Sequence, residues 1–353
     1  MQFHSDNCGP AHPSIMAALT QANEGYAPSY GEDEIMDEVR RRLHSLFEAP
    51  EAAIYLVATG TAANVLGLST LTRPYQTIFC TPHAHIEVDE CNSPEFYTGG
   101  AKLTLVGDTD KMTPEALEAA IGKWPEGDVH TAQRGPLCLT QVTERGQVYT
   151  VDELTALSDV AHGHGLPVFL DGARFANAIA TLGCSPAEMT WKAGVDALSF
   201  GGTKNGCLDV EAVIFFDPAH AWEFELRRKR AAHLHSKHRY LSAQMKGYLN
   251  DDLWLELARK SNAACAYLAA RLREVPDCDF THPPQANMIF ATLPRETHQR
   301  LIAAGAGYGL FDGPLHGGDR AEPLLCRLVC DWSMTHAQID EFIACARLQA
   351  AVS

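Results

Sequence analysis

One lysine of this chain stands in a turn of small residues at the end of a mostly apolar run. The run covers residues 195–200, and Lys204 follows within the sequence Gly-Gly-Thr-Lys-Asn-Gly at 201–206. Because glycine adopts backbone conformations that other residues avoid, this turn can approach a ligand closely. Asp171 is placed similarly, directly after the apolar run 167–170. We therefore expect an amine and a carboxylate at strand ends.

These two groups match what pyridoxal 5′-phosphate requires from a protein. A lysine binds this cofactor as a Schiff base, and an aspartate holds its pyridinium nitrogen. The segment between Asp171 and Lys204 leaves room for one crossover helix and a returning strand. The sequence therefore predicts that both residues meet across one bound cofactor.

Two other strand ends carry groups suited to the same cofactor. The apolar run 53–57 breaks into small residues at 58–64, and a helical pattern continues through residue 71. A helix start after such a turn directs free N–H groups at an anion, so Gly60 and Thr61 are candidate phosphate ligands. A plain helix start is the alternative. His85 follows the strand 77–80 and either stacks on the cofactor, moves a proton or is a solvated loop residue.

The elements that must position these groups alternate along the chain. From residue 53 to 216, short apolar runs alternate with helical patterns, which is typical of a parallel sheet flanked by helices. Ligands bind where the strand ends of such a sheet gather. A long helix (252–275), two strands (288–293 and 325–330) and a last helix (335–350) follow. We predict an α/β protein with a large domain over 1–245 and a smaller α+β domain over 246–353.

Composition limits the classes of partner. The 353 residues are 46% hydrophobic and 20% charged, as in globular proteins. A net charge of -16 argues against nucleic acid as a partner. No run is long enough for a membrane span, and the polar first residues lack a signal core, so we expect a cytoplasmic protein. The eleven cysteines are scattered without a Cys-x-x-Cys pair, and no metal site is predicted.

The order of these motifs resembles that of the aspartate-aminotransferase-like pyridoxal phosphate enzymes of fold type I. It resembles more closely the low-specificity L-threonine aldolases and the beta-eliminating lyase group that contains them. The resemblance extends over nearly the whole chain. Its most specific motifs are YGED (30–33), GTAAN (60–64), DGAR (171–174) and GGTKN (201–205).

The resemblance implies how the cofactor would be bound. Lys204 would carry it as a Schiff base, and Asp171 would keep its pyridine nitrogen protonated. His85 would stack on its ring, and Gly60 and Thr61 would bind its phosphate. These assignments place the catalytic groups Lys204, His85 and Asp171 around one cofactor.

The resemblance also implies a substrate site and a shared subunit boundary. Ser5, Arg174 and Arg327 would bind the substrate carboxylate, which a guanidinium matches in shape, and Arg174 would also contact the cofactor. Tyr30 would line a site shared across a dimer, so the dimer is the minimal unit and a homotetramer is expected. A basic cluster at 227–239 is either a solvated helix face or the source of a phosphate contact to a neighbouring subunit, through Lys237 or Arg239.

The implied reaction is cleavage of L-threonine, L-allo-threonine and related L-β-hydroxy-α-amino acids to glycine and an aldehyde. Phenylserine-type cleavage, β-elimination and aminotransfer would use the same residues. A non-catalytic carrier of the cofactor would not need paired carboxylate-binding arginines. Many family members carry a histidine where this chain has Glu144. The base therefore stays open among His85, His83, Glu144 and a water molecule.

Overall fold

The computed structural model describes residues 1–348, which form two sheets covered by helices. The strands are β1 (Ala53–Val57), β2 (Gln76–Cys80), β3 (Lys102–Leu105), β4 (Gln133–Thr140), β5 (Val168–Gly172), β6 (Ala197–Gly201), β7 (Glu211–Phe215), β8 (Asp279–Phe280), β9 (Met288–Pro294), β10 (Gly309–Leu310) and β11 (Pro323–Val329). The helices are α1 (Pro13–Ala22), α2 (Glu34–Leu46), α3 (Gly60–Leu71), α4 (His85–Val88), α5 (Ser93–Thr98), α6 (Pro114–Gly122), α7 (Val151–Gly163), α8 (Phe175–Leu182), α9 (Ala221–Arg230), α10 (Arg239–Leu249), α11 (Leu253–Leu272), α12 (Arg295–Ala303) and α13 (His336–Arg347).

The larger sheet has the strand order β1-β7-β6-β5-β4-β2-β3. The pairs among β6, β5, β4, β2 and β3 are parallel, whereas β7 runs antiparallel to both of its neighbours. Every residue of β5, β6 and β7 is buried, because helices cover both faces of the sheet. The prediction of a mainly parallel sheet flanked by helices is confirmed.

This topology brings the predicted site segments to one edge of the sheet. Asp171 on β5 pairs with Ser199 on β6, and β6 then leads into the 3-10 turn Thr203–Asn205, which carries Lys204. β1 leads at the same edge into α3, whose first residue is Gly60. Because these strands run in the same direction, their carboxyl ends open onto one space.

The smaller sheet is antiparallel throughout, in the order β10-β11-β9-β8. It packs with α11 and α13 around its own apolar core, which also contains Phe3 of the N-terminal segment. The Phe3 amide donates to the Gly307 carbonyl (2.7 Å), and its carbonyl accepts from the Val329 amide (2.9 Å). The division at residue 245 stays a prediction, and Phe3 connects the first residues to the second core.

The short helices α4 and α5 were not predicted from the sequence, whereas α8 lies where a crossover helix was expected between Asp171 and Lys204. His85 was expected in a loop, but it is the first residue of α4. The last helix begins at His336 and ends at Arg347; the end predicted for it, residues 349 and 350, lies outside the described part of the chain. No helix within residues 1–348 has the length and apolar character needed to cross a bilayer.

The contact between β5 and β6 leaves no room for a side chain at Gly172. A Cβ atom there would lie 2.3 Å from the Ser199 carbonyl oxygen, which is backbone. We expect Gly172→Ala to lower the free energy of unfolding by about 1–3 kcal/mol, because β6 would have to shift. Gly163→Ala, in a helix with open space around the new Cβ, should be neutral or stabilising by up to about 1 kcal/mol. Equal urea midpoints for the two variants would contradict this account.

Candidate active site

A cavity of about 650 Å³ opens at the carboxyl edge of the large sheet. It brings together four of the predicted site residues, Gly60, Thr61, His85 and Lys204, from three separate segments. A second cavity, of about 790 Å³, lies between α3, α5 and α9 and is lined by none of the predicted residues. Within residues 1–348, no group of three or more histidine, cysteine, aspartate or glutamate side chains is arranged to hold a metal ion.

Hydrogen bonds of the neighbouring residue Asn205 fix the turn that carries Lys204. The buried Asn205 amide donates to the Tyr248 hydroxyl (2.7 Å) and to the Trp254 carbonyl (2.7 Å). Gly206 closes the turn with φ +96°, a left-handed conformation that glycine adopts without strain. Lys204 is half-buried and lines the cavity, as predicted for an amine that meets a ligand.

The N-terminus of α3 opens onto the same cavity. The Thr59 hydroxyl accepts a hydrogen bond from the Ala62 amide (3.1 Å) and caps the helix. The amides of Gly60 and Thr61, in the first turn, have no partner inside the helix. Both residues line the cavity, so their N–H groups and the helix dipole favour a bound anion there.

Asp171 is buried and fixed by uncharged donors. Its Oδ2 accepts from Asn64 Nδ2 (2.8 Å) and its Oδ1 accepts from the Ala173 amide (3.0 Å). Ser199 Oγ donates to Asn64 Oδ1 (3.0 Å), which sets the orientation of the Asn64 amide. The carboxylate is therefore rigid, although within the described chain it makes no ion pair.

His85 is connected to Asp171 through two buried residues. Its Nδ1 lies 2.8 Å from Glu90 Oε1, and the same oxygen accepts from Asn64 Nδ2 (3.0 Å). The hydrogen bond that Glu90 accepts from His85 raises the pKa of His85. Burial, together with the nearby charge of Asp171, raises the pKa of Glu90. His85 thus has one nitrogen fixed by a carboxylate, while its ring lines the cavity.

Arg174 is paired within the protein rather than open to the cavity. Its Nε and Nη2 donate to the two oxygens of Asp6 (3.0 and 2.6 Å), and both residues are buried. Burial opposes ionisation of Asp6, but the Arg174 guanidinium outweighs this effect and lowers the pKa of Asp6. Asp6 itself lines the cavity. Binding of a substrate carboxylate by Arg174 stays a prediction. Arg174 would have to bind it while paired with Asp6, or release Asp6 first.

The other predicted carboxylate ligands lie near this pair. Arg327 on β11 is half-buried and donates from Nη2 to the His4 carbonyl (3.3 Å). Burial and the charge of Arg174 lower the pKa of Arg327, which indicates that the two guanidinium groups are near each other. The Ser5 hydroxyl accepts from the Asn7 amide (3.2 Å) and begins the turn that carries Asp6. Neither Arg327 nor Ser5 lines the cavity itself, although Asp6 and Asn7, which follow Ser5, do.

Tyr30, Lys237 and Arg239 do not line the cavity of their own chain. The Tyr30 amide donates to the Ser236 carbonyl (3.2 Å), and Arg239 Nη1 donates to the Gly25 carbonyl (3.0 Å). Tyr30 and Lys237 are exposed. The structure therefore places these three residues in two adjacent surface segments, and their role in a neighbouring site stays a prediction.

A family model described as beta-eliminating lyase matches residues 2–294. The chain belongs to the beta-eliminating lyase family. It is 39% identical to a low specificity L-threonine aldolase of Pseudomonas aeruginosa over 348 residues, with 98% of this chain and 97% of that protein covered. It is 38% identical to a low specificity L-threonine aldolase of a Pseudomonas species, with 97% and 96% covered. The family prediction is confirmed.

Solved structures agree on the fold of this beta-eliminating lyase. The Leishmania major threonine aldolase superimposes with a TM-score of 0.90 at 24% identity, with 98% of each chain covered. The serine palmitoyltransferase of S. paucimobilis, solved with bound PLP, has a TM-score of 0.68 at 17% identity, with 98% of this chain and 86% of that chain covered. The predicted fold type I architecture is confirmed.

Four residues of the site carried no assigned role in the sequence: Asp6, Asn64, Glu90 and Glu211. Asn64 is the last residue of the GTAAN motif, and Asp6 directly follows Ser5, which was assigned to the substrate carboxylate. Glu90 lies five residues after His85, just beyond the end of α4, and this spacing alone does not indicate a contact. In the sequence, Glu211 looks like the polar first residue of an otherwise apolar strand. Their roles depend on contacts between segments that are distant in the chain.

The pair formed by His85 and Glu90 yields a test. Glu90→Gln keeps an oxygen that can accept from His85 Nδ1 but removes the negative charge, so the pKa of His85 should fall. An NMR titration of the imidazole signal that disappears in His85→Gln would measure this pKa. Glu87→Gln, at an exposed position of α4, should leave it unchanged. An identical His85 titration in Glu90→Gln would disprove the assigned pairing.

Proposed function

We propose that this chain is a pyridoxal 5′-phosphate-dependent aldolase that cleaves L-threonine, L-allo-threonine and related L-β-hydroxy-α-amino acids to glycine and an aldehyde. The observation that carries the proposal is the meeting of Lys204, the Asp171 network and the N-terminus of α3 at one sheet edge. Two relatives at 38% and 39% identity over nearly the full length bear the name low specificity L-threonine aldolase. Identity at this level over nearly the full length supports the same substrate class for this chain.

The residues present fit this cofactor. Asp171 is a buried carboxylate whose hydrogen-bond donors are all uncharged, so a pyridinium N–H would supply the missing positive partner. The free amides of Gly60 and Thr61 would hold the phosphate, and Lys204 would attach the cofactor covalently. When bound, pyridoxal phosphate withdraws the electron pair left on the α-carbon after the Cα–Cβ bond breaks.

The protein groups then have two tasks, to orient the amino acid and to move a proton. Arg174, Arg327 and Ser5 would hold the substrate carboxylate at the rim of the cavity. This grip would decide which bond at the α-carbon is presented for cleavage. A base must also accept the proton of the β-hydroxyl oxygen while the aldehyde forms.

The charges of the site act differently on the candidate bases. The hydrogen bond to Glu90 raises the pKa of His85, so the imidazole holds a proton more firmly than an ordinary histidine does. Burial and the charge of Asp171 raise the pKa of Glu144, which brings this carboxyl closer to the working range of a base. Burial and the charge of Arg145 lower the pKa of His83, which favours its uncharged form. His85, His83, Glu144 and a water molecule therefore all stay as candidates for the base.

Product analysis tests the reaction. With L-threonine, L-allo-threonine or L-phenylserine, we expect glycine and an aldehyde in equal amounts. Lys204→Ala should lose the absorbance of lysine-bound cofactor and at least about a thousandfold in kcat, because it lacks the attaching amine. Lys192→Ala, at a surface ion pair with Glu48, should resemble the wild type. Ammonia without glycine would indicate β-elimination, and amino-group transfer without aldehyde would indicate an aminotransferase.

We further propose that the protein acts in the cytoplasm as a homo-oligomer, with a dimer as the minimal unit and a tetramer as the complete assembly. Support comes from Tyr30, Lys237 and Arg239, which lie outside the cavity of their own chain. In a dimer these residues would complete the site of the neighbouring subunit. A monomeric active enzyme would rule out this arrangement.

Hybrid dimers test the shared site. Lys204→Ala removes the amine of a subunit's own site, whereas Lys237→Ala with Arg239→Ala would damage only the neighbour's site. After unfolding and refolding the two variants together, activity should reach about a quarter of the wild type, since half of the dimers are hybrids with one intact site. Activity no higher than the average of the separate variants would show that each subunit builds its site alone.

A further inference from the structure

Asn64 is a buried amide that donates to two buried acids at once. It lies in the first turns of α3 and is 3% exposed. Its Nδ2 donates to Asp171 Oδ2 (2.8 Å) and to Glu90 Oε1 (3.0 Å). Because an amide nitrogen carries two hydrogens, both of them are used by carboxylates. The two acids come from separate segments, the end of β5 and the residues after α4, and Asn64 connects them.

The direction of this amide is fixed from the sheet. The Gly172 amide donates to Ser199 Oγ (3.1 Å), so the hydroxyl keeps its own proton for another acceptor. That acceptor is Asn64 Oδ1, at 3.0 Å. A reversed amide would turn its oxygen toward both carboxylates and leave them without this donor, which burial makes costly. The chain of hydrogen bonds therefore runs one way, from Gly172 through Ser199 and Asn64 to the two acids.

Asn64 supplies hydrogen bonds that no other described residue supplies. Within residues 1–348, Asp171 Oδ2 accepts from Asn64 alone, while Oδ1 accepts from the Ala173 amide. Glu90 Oε2 is buried without a partner among these residues, so Oε1 makes the contacts of this acid, to Asn64 and to His85 Nδ1. Removing the amide would therefore leave Asp171 Oδ2 unpaired, and Glu90 would lose the contact that orients it toward His85.

We propose that Asn64 is a positioning residue for the two groups that would contact the cofactor ring. It holds Asp171 directly, and it holds His85 through Glu90. Ser199 sets the direction of its amide. The inference rests on the proposed function, in which an aspartate meets the pyridine nitrogen and a histidine stacks on the ring. One side chain thus links the helix that begins at the phosphate site to both groups at the ring.

The bond from Asn64 decides where the proton of the cofactor nitrogen resides. A hydrogen bond donated to an ionised carboxylate stabilises the ionised form. When Asp171 is held in this form, the proton stays on the pyridine nitrogen, and a protonated ring withdraws electrons more strongly. Without Asn64, the carboxylate would bind that proton more tightly, and the nitrogen would lose part of it.

The protonation of the cofactor nitrogen tests the proposal without measuring turnover. Asn64→Leu keeps nearly the same side-chain shape but has no donor. Each protein is loaded with pyridoxal 5′-phosphate that carries nitrogen-15 in its ring, and the nitrogen NMR signal is followed from pH 6 to 9. The wild-type signal should stay that of a protonated nitrogen. In Asn64→Leu it should move at least about a third of the way to the unprotonated position.

Asn177→Leu is the matched control. Asn177 is equally buried and also donates to two side-chain oxygens, those of Ser261 and Asn262, but it contacts no acid. Its cofactor signal should coincide with that of the wild type, because a general loss of packing does not move this signal. A wild-type signal in Asn64→Leu would overturn the proposal. An unprotonated nitrogen in the wild type would instead refute the role of Asp171 in the proposed function.

A second measurement needs neither bound cofactor nor the Asn64→Leu protein. In the full-length chain freed of cofactor, NMR follows the exchange of the Asn64 side-chain hydrogens with D2O. Ser199→Ala should speed this exchange at least about tenfold, since the amide loses the partner that fixes its direction. Ser261→Ala, at another buried serine bonded to an asparagine, should leave the exchange unchanged.

The two measurements separate the inference from the function on which it rests. Unchanged Asn64 exchange in Ser199→Ala would refute the one-way chain of hydrogen bonds and overturn the proposal. Faster exchange in a chain that binds no pyridoxal phosphate would refute the proposed function and retain the link between Asn64 and the two acids.

Discussion

A carboxylate buried at the end of a strand is the constraint on which this structure depends. Burying the polar oxygens of Asp171 costs free energy unless they are hydrogen-bonded. The hydrogen bonds come from Asn64 on α3 and from the turn after β5, with Ser199 on β6 holding Asn64 in place. Asp171 and its hydrogen-bond partners therefore fix helix α3 and strands β5 and β6 relative to one another.

The charges around Asp171 follow a common pattern. Asp6 is paired with Arg174 and Glu90 with His85, so each of these acids contacts a basic side chain. Asp171 differs because its hydrogen-bond donors are amides, and its charge acts on His85 and Arg174 without an ion pair. Its two oxygens are thus fixed in place by uncharged groups.

Much of this arrangement could be predicted from the sequence, because apolar runs define buried strands and the residues after them emerge at one edge. Lys204, Gly60, Thr61 and His85 were found in this way, and they line one cavity. Asp171 was found in the same way, after the apolar run 167–170, and it lies at the same edge of the sheet.

The partners of these residues could not be read from the sequence. Asp6 meets Arg174 across most of the first half of the chain, and Asn64 links Glu90 to Asp171 only because α3 crosses behind the sheet. Such contacts depend on the packing of elements, not on local pattern. The sequence likewise indicated a carboxylate-binding role for Arg174 but not the acid that already holds it.

The short segment from Phe3 to Asp6 has a mechanical consequence. Phe3 is locked in the core of the small sheet by two backbone hydrogen bonds, and three residues later Asp6 is bonded to Arg174 at the edge of the large sheet. An extended chain of this length can stretch by only a few ångströms. The segment therefore acts as a tether between the two sheets. A hinge movement that separates them would pull on Asp6, and the strain would be felt first at the guanidinium of Arg174.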